Sequence, residues 1–207
     1  MRKTLLFSLS FLLIFSLARG QQGIYIHGVF EDYYPYSPFD NSFSDLFKKL
    51  NADPGLTGKF LHKRTDSSLF AFRGMYNNYE RGVLRRTNVE IKLEEVEIPL
   101  SDSLPKKDTF FQYQVTYYFS EANAGLRYVK KVFNAFHEQY KPQFRMARDY
   151  DIKEEGSPIG LTRNYFLFSS PVSPMTVAWA NLSNKESIFT IMVRLKLVEN
   201  ELVIHRL

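Results

Sequence analysis

The 207-residue sequence contains no cysteine. Disulfide staples and thiol catalysis are thereby excluded. So is the lipid anchor that a bacterial envelope lipoprotein carries on a cysteine just after its signal. Histidine is scarce, with four residues: His27, His62, His137 and His205. No His-x-His or His-Glu-x-x-His spacing joins any of them, and zinc sites draw on such short spacings, so no metal is expected. There is no Gly-x-Ser-x-Gly elbow. Gly156-Ser157-Pro158-Ile159-Gly160 lacks the lysine and the following helix of a phosphate loop, and no cofactor is expected. Glycine and proline are modest, at 10 and 9, and neither a low-complexity tract nor a repeat of solenoid period is found.

What is present begins with an export signal. Arg2 and Lys3 precede the apolar run Leu5–Leu17, and Ala18-Arg19-Gly20 offers small residues at the positions a signal peptidase reads. This three-part pattern predicts cleavage before Gln21. A run of thirteen residues spans only about 20 Å as a helix, short of the roughly 30 Å hydrocarbon core, so residues 1–20 read as a signal peptide and not as an anchor. No transmembrane helix is expected in the mature chain. Its expected place is the periplasm, the outer envelope or the secreted fraction.

The formal charge of +5 falls to +2 when Arg2, Lys3 and Arg19 leave with the signal. The remaining basic residues come as scattered pairs, Lys48-Lys49, Lys63-Arg64, Arg85-Arg86, Lys106-Lys107 and Lys130-Lys131. Nucleic-acid binders concentrate their charge on one face, so no nucleic acid is expected as a partner. Aromatics are abundant, with 19 Phe and 13 Tyr, and such residues fill cores and favour strands.

Along the mature chain, Gly23–Phe30 reads as a short strand. Pro35 and Pro38 deny regular structure to the tyrosine-rich stretch after it. Phe43, Leu46, Phe47 and Leu50 fall at helical spacing behind a cap at Ser42 or Ser44, and Asn51–Gly55 stops that helix. Strands are expected over Thr57–Lys63 and Ser68–Tyr76, with a turn at Asp66-Ser67. Thr87–Ile98 alternates through Val89, Ile91 and Leu93, then slips phase at Glu94-Glu95, which reads as a β-bulge. Ser101–Asp108 reads as a loop, and Phe110–Phe119 as an alternating strand antiparallel to the one before. A long helix is expected from Glu121 to Tyr140, capped by Ser120, with Ala122, Leu126, Val129, Val132, Phe133, Phe136 and Tyr140 as its apolar stripe. Asp149–Gly156 reads as a solvated acidic loop. Strands then follow over Thr162–Ser169, Met175–Leu182, Ser187–Val198 and Leu202–His205.

This order gives an α+β fold: a single antiparallel sheet of about five to seven strands packed by one long amphipathic helix, with a shorter N-terminal helix. Residues 21–207 form one domain, with 21–80 as an alternative N-terminal appendage. The candidate ligand or partner surface is the tyrosine-rich loop, through Tyr33, Tyr34, Tyr36 and Phe39; the competing expectation is that these rings cap an open end of the core. No catalytic residue is assigned. The leading functional expectation is a non-enzymatic binding or protein-interaction module whose partner is a protein or a small molecule. A hydrolase of unfamiliar type and a small outer-membrane β-barrel are the alternatives.

Overall fold

The computed structural model describes residues 29, 31–38, 41–65, 68–81, 84, 87–101, 104–120, 125–166, 172–182, 186–198 and 201–203. Alternating side chains build its main feature, an antiparallel sheet. Its strands are β1 (Leu56–His62), β2 (Ala71–Tyr79), β3 (Thr87–Ser101), β4 (Leu104–Ser120), β5 (Met146–Glu154), β6 (Ser157–Phe166), β7 (Met175–Asn181), β8 (Glu186–Val198) and β9 (Glu201–Val203). Eight run in the order β1-β2-β3-β4-β8-β7-β6-β5, and β9 pairs on β8. The chain thus lays down two four-stranded meanders and joins them through β4 and β8. Among the described residues the strands number nine, more than the five to seven read from the sequence, and β1 and β2 pair onward into this sheet.

One face is covered. Val89, Ile91 and Leu93 of β3 share it with Phe111, Tyr113, Val115 and Tyr117 of β4 and with Phe189 and Ile191 of β8, all fully buried. Helix α1 (Phe43–Ala52) seats Leu46 and Leu50 on it, with Phe43 and Phe47 edge-on to Phe70. Ser42, one of the two expected caps, accepts the Asp45 N–H. Helix α2 (Leu126–Tyr140) buries Val129, Phe133, Phe136 and Tyr140 and crosses β7 and β8. The other face carries Gln112, Gln114, Thr116 and Thr190; Gln114 donates to Thr116 along β4, and the Thr116 hydroxyl bonds that of Thr190 across to β8. This is the alternation expected of an antiparallel sheet covered on one side.

Several expectations are corrected. The strand expected over Gly23–Phe30 falls largely outside the described residues, and within it Val29 is helical and buried; residues 31–33 are helical too, with Tyr33 buried and Glu31 exposed. There is no bulge at Glu94-Glu95: β3 and β4 pair without a break from Asn88↔Tyr118 to Pro99↔Lys107. The phase slip arises because Glu95 takes a covered-face position. It is tolerated there because its carboxylate accepts the Phe70 N–H and pairs with Arg64 at 3.2 Å. The loop expected over Ser101–Asp108 is the tip of a β3–β4 ribbon. Beyond Glu94 and before Phe110 these strands lose their outer neighbours, and Pro99 and Pro105 fit such unpaired edges.

Helix α2 begins at Leu126 with Gly125 as its cap. Ser120 cannot serve, because its backbone pairs with Glu186 as the last residue of β4. Glu121 and Ala122 lie outside the described residues. The acidic loop is the hairpin β5–β6, turned by Glu155 (φ 49°) and Gly156 (φ 82°). Two consecutive left-handed residues match the twist of the flanking strands.

Candidate functional site

Both of the first tyrosines of the candidate segment are buried. The Tyr33 ring meets Phe136 of α2 edge-on at 5.4 Å, and its carbonyl accepts the Tyr117 hydroxyl at 2.6 Å. Tyr34 stacks on Tyr113 at 4.6 Å, and its hydroxyl lies 3.1 Å from the Ile191 carbonyl and 3.3 Å from that of Tyr113. One phenol proton is therefore shared between β4 and β8 at the centre of the covered face. Tyr36 is half-buried and donates to Asp53 Oδ2 at 2.9 Å. Phe39 lies outside the described residues. The segment thus ties α2, the middle of the sheet and the end of α1 together, and only its Tyr36 end approaches solvent.

That end is organised by Asp53, the residue after α1. Its Oδ2 also accepts the Tyr76 hydroxyl at 2.8 Å, and its Oδ1 accepts the Gly55 N–H at 2.8 Å. Burial acts to raise the Asp53 pKa. The bonds from Tyr76, Gly55 and Tyr36, together with Arg81 nearby, outweigh it and hold the carboxyl below its ordinary value. Tyr76 packs on Tyr79 at 5.1 Å. Burial pushes the Tyr79 hydroxyl up to about 12, and does the same for Tyr33. Burial also drives Tyr34, Tyr113 and Tyr117 well above the usual phenol value. Of these, the Tyr34 and Tyr117 hydroxyls donate to backbone carbonyls, while the buried Tyr113 hydroxyl meets no hydrogen-bond partner among the described residues. Sequence reasoning treated Asp53 only as a helix stop. The signal for more was the Asp-Pro-Gly run closing an amphipathic helix, where an aspartate side chain can bond its own backbone two residues on.

A second polar cluster sits where α2 meets β5 and β6. Arg163 holds Asp149 by two bonds, at 2.6 and 2.7 Å, and its guanidinium stands 4.8 Å from the centre of the Phe133 ring. His137 Nδ1 lies 3.1 Å from the Tyr165 hydroxyl. Burial lowers the His137 pKa, and Arg163 adds to the effect. The Arg163 bonds hold Asp149 below the ordinary carboxylate value. Of the other histidines, His62 is bonded to Ser68 Oγ at 2.7 Å on the exposed edge of the sheet; His27 and His205 lie outside the described residues. Glu94 and Glu95, adjacent in β3, point to opposite faces and do not converge.

Among the described residues no helix is long and apolar enough to cross a membrane. They also bring together no group of three or more His, Asp or Glu side chains fit to hold a metal. Comparison with protein-family models, with curated proteins and with solved structures finds no match.

Proposed function

We propose that this chain is an exported, non-enzymatic binding or interaction module. The observation that carries the reading is the state of its partly buried carboxylates. Asp53 accepts three hydrogen bonds, Asp149 is clamped by Arg163, Glu95 accepts a backbone N–H and faces Arg64, and Glu90 takes the Tyr118 hydroxyl and Lys92. A general base needs a free lone pair and a pKa poised near the working pH. Asp53 and Asp149 are shifted the other way. The tyrosines, raised by burial, are no better suited as nucleophiles.

Recognition then belongs to the surface, since Tyr33 and Tyr34 fill the middle of the covered face. The Tyr36 end of the segment, beside Asp53, Tyr76 and Arg81, is the patch we favour for a ligand or protein partner. Rigid tyrosines offer large contact area at small entropic cost. A partner isolated with the wild-type protein is expected to be lost by Tyr36→Ala and kept by a Lys130→Glu/Lys131→Glu variant; the reverse pattern would move the surface to α2.

The hydrolase alternative draws on His137, whose lowered pKa favours a neutral imidazole. Turnover of ester or glycoside substrates that His137→Ala abolishes would establish it. The β-barrel alternative suits the open face poorly. Gln112, Gln114, Thr116 and Thr190 stand where a barrel presents apolar side chains to lipid.

A further inference from the structure

We infer that the β5 edge of the sheet is a self-pairing interface, on which a second copy of this chain adds its own β5 antiparallel to the first. The inference is independent of the ligand surface proposed at Tyr36. The eight-strand path ends in two outer strands, β1 and β5, and among the described residues neither has a partner on its outer side. The two differ in regularity. In β1 the register shifts between Thr57 and Phe60, Gly58 takes a left-handed φ of 57°, and Lys59 bonds back to the Asn51 and Asp53 carbonyls. Bulges and inward-tied lysines are how proteins close an edge to further pairing. β5 pairs with β6 without a break from Met146 to Ile152; the register shifts between Ile152 and Lys153, but the extra residue there, Ile159, lies on β6 and not on the edge strand, whose outer side is open among the described residues.

On β6 two partners meet the charged side chains of β5: Arg163 clamps Asp149, and Arg148 lies over the Phe166 ring at 5.7 Å. Across the hairpin Arg148 faces Asn164, Asp151 faces Leu161, Lys153 faces Pro158 and Glu154 faces Ser157; only Asp149 meets an opposite charge, Arg163. Read from Arg148 to Glu154 the strand is Arg-Asp-Tyr-Asp-Ile-Lys-Glu. Set against its own reverse about Asp151, Arg148 faces Glu154 of the second copy, Asp149 faces Lys153, and Tyr150 faces Ile152. Twofold symmetry makes each of these pairs twice. The register also respects the pleat, because even-numbered residues meet even-numbered ones on one face and odd meet odd on the other. Opposite-charge and aromatic–aliphatic cross-strand pairs are the stabilising kinds. Tyr150, at 49 %, is the most exposed large hydrophobic residue of the described chain, and this pairing covers it. The one unfavourable contact is Asp151 against its own copy on the axis.

Sedimentation equilibrium of the purified protein over micromolar to submillimolar concentration tests this. The wild type is expected to dimerise, more weakly at high salt. Arg148→Glu and Glu154→Arg each turn two attractive pairs into repulsive ones and are expected to weaken the dimer about tenfold or more. The double variant R148E/E154R restores both pairs and is expected to dimerise like the wild type. Asp151→Asn removes the like-charge contact and is expected to tighten the dimer severalfold. All three positions are exposed, so the variants are expected to keep the wild-type melting temperature at low concentration. A wild type that stays monomeric overturns the inference. So does a dimer that the single variants leave unchanged, or one that the double variant fails to restore.

Discussion

Asp53 shows how a single side chain can be structural and charged at once. It stops α1, binds the Gly55 N–H, and gathers Tyr36 and Tyr76. Its carboxyl is depressed in the folded state, so the unfolded chain, with aspartates titrating near about 4, takes up the proton more readily. The stability Asp53 contributes is therefore complete above that unfolded value and is lost as pH falls through the folded one. The urea midpoint is expected to fall on acidification below about pH 4.5. Asp53→Asn is expected to be less stable at neutral pH by about 1 kcal/mol, the scale of a charge-assisted bond near the surface, with a shallower acid slope. Identical slopes in the two proteins would remove Asp53 from the acid response. Phe136 illustrates the opposite kind of residue. Its ring lies within 6.2 Å of Tyr33, Tyr140, Tyr165 and Phe189. Phe136→Ala is expected to cost about 3–5 kcal/mol in chemical denaturation. A loss below 1 kcal/mol would mean that α2 is not a load on the sheet.

At the scale of elements, most of the fold was legible wherever one face is buried. Val89 to Leu93, Phe111 to Phe119 and Phe189 to Leu195 alternate because the core accepts every second side chain. The α2 stripe Val129, Phe133, Phe136, Tyr140 is visible for the same reason. The misreadings cluster where that constraint lapses. β5 is exposed on nearly every residue, so its sequence carries charge and no period. The β3–β4 ribbon extends past its neighbours, so pairing there owes nothing to burial. Glu95 broke the pattern because hydrogen bonds from Phe70 and Arg64 stand in for apolar packing. The close β6–β7 contact was not readable either. A Cβ on Gly160 would lie 2.2 Å from the Trp179 carbonyl oxygen and 2.8 Å from the Ala180 Cα. At Gly74 the obstacle is the buried Leu56 side chain, at 2.6 Å, and not backbone. Gly160→Ala is therefore expected to lower the melting temperature more than Gly74→Ala, at a cost of about 1–3 kcal/mol for overpacking. Equal losses would show that β6 and β7 part locally to admit the methyl group.

For the molecule as a whole, the question is what fills the covered face of so wide a sheet beside the helices α1 and α2, of ten and fifteen residues. The answer is the tyrosine segment. The sequence marked Tyr33–Phe39 as unusual, but could not separate an exposed recognition loop from an internal plug, because tyrosine serves both with one polar and one apolar end. In the structure Tyr34 occupies the centre, its ring on Tyr113 and its hydroxyl on two strand carbonyls. A side chain placed so is a built-in ligand: it satisfies polar groups and excludes water where another fold would hold a small molecule. Removing it should leave a slot shaped for a phenol. Tyr34→Ala is expected to lose about 3–5 kcal/mol, the range for deleting a large buried side chain. Millimolar phenol is then expected to raise the melting temperature of the variant and not that of the wild type, since only a ligand that binds the folded state stabilises by mass action. A Tyr34→Ala protein with the wild-type melting temperature would mean that the segment is not part of the core. A destabilised variant that phenol fails to rescue would mean that the sheet and helices collapse into the space, and that the concavity exists only because the tyrosine holds it open.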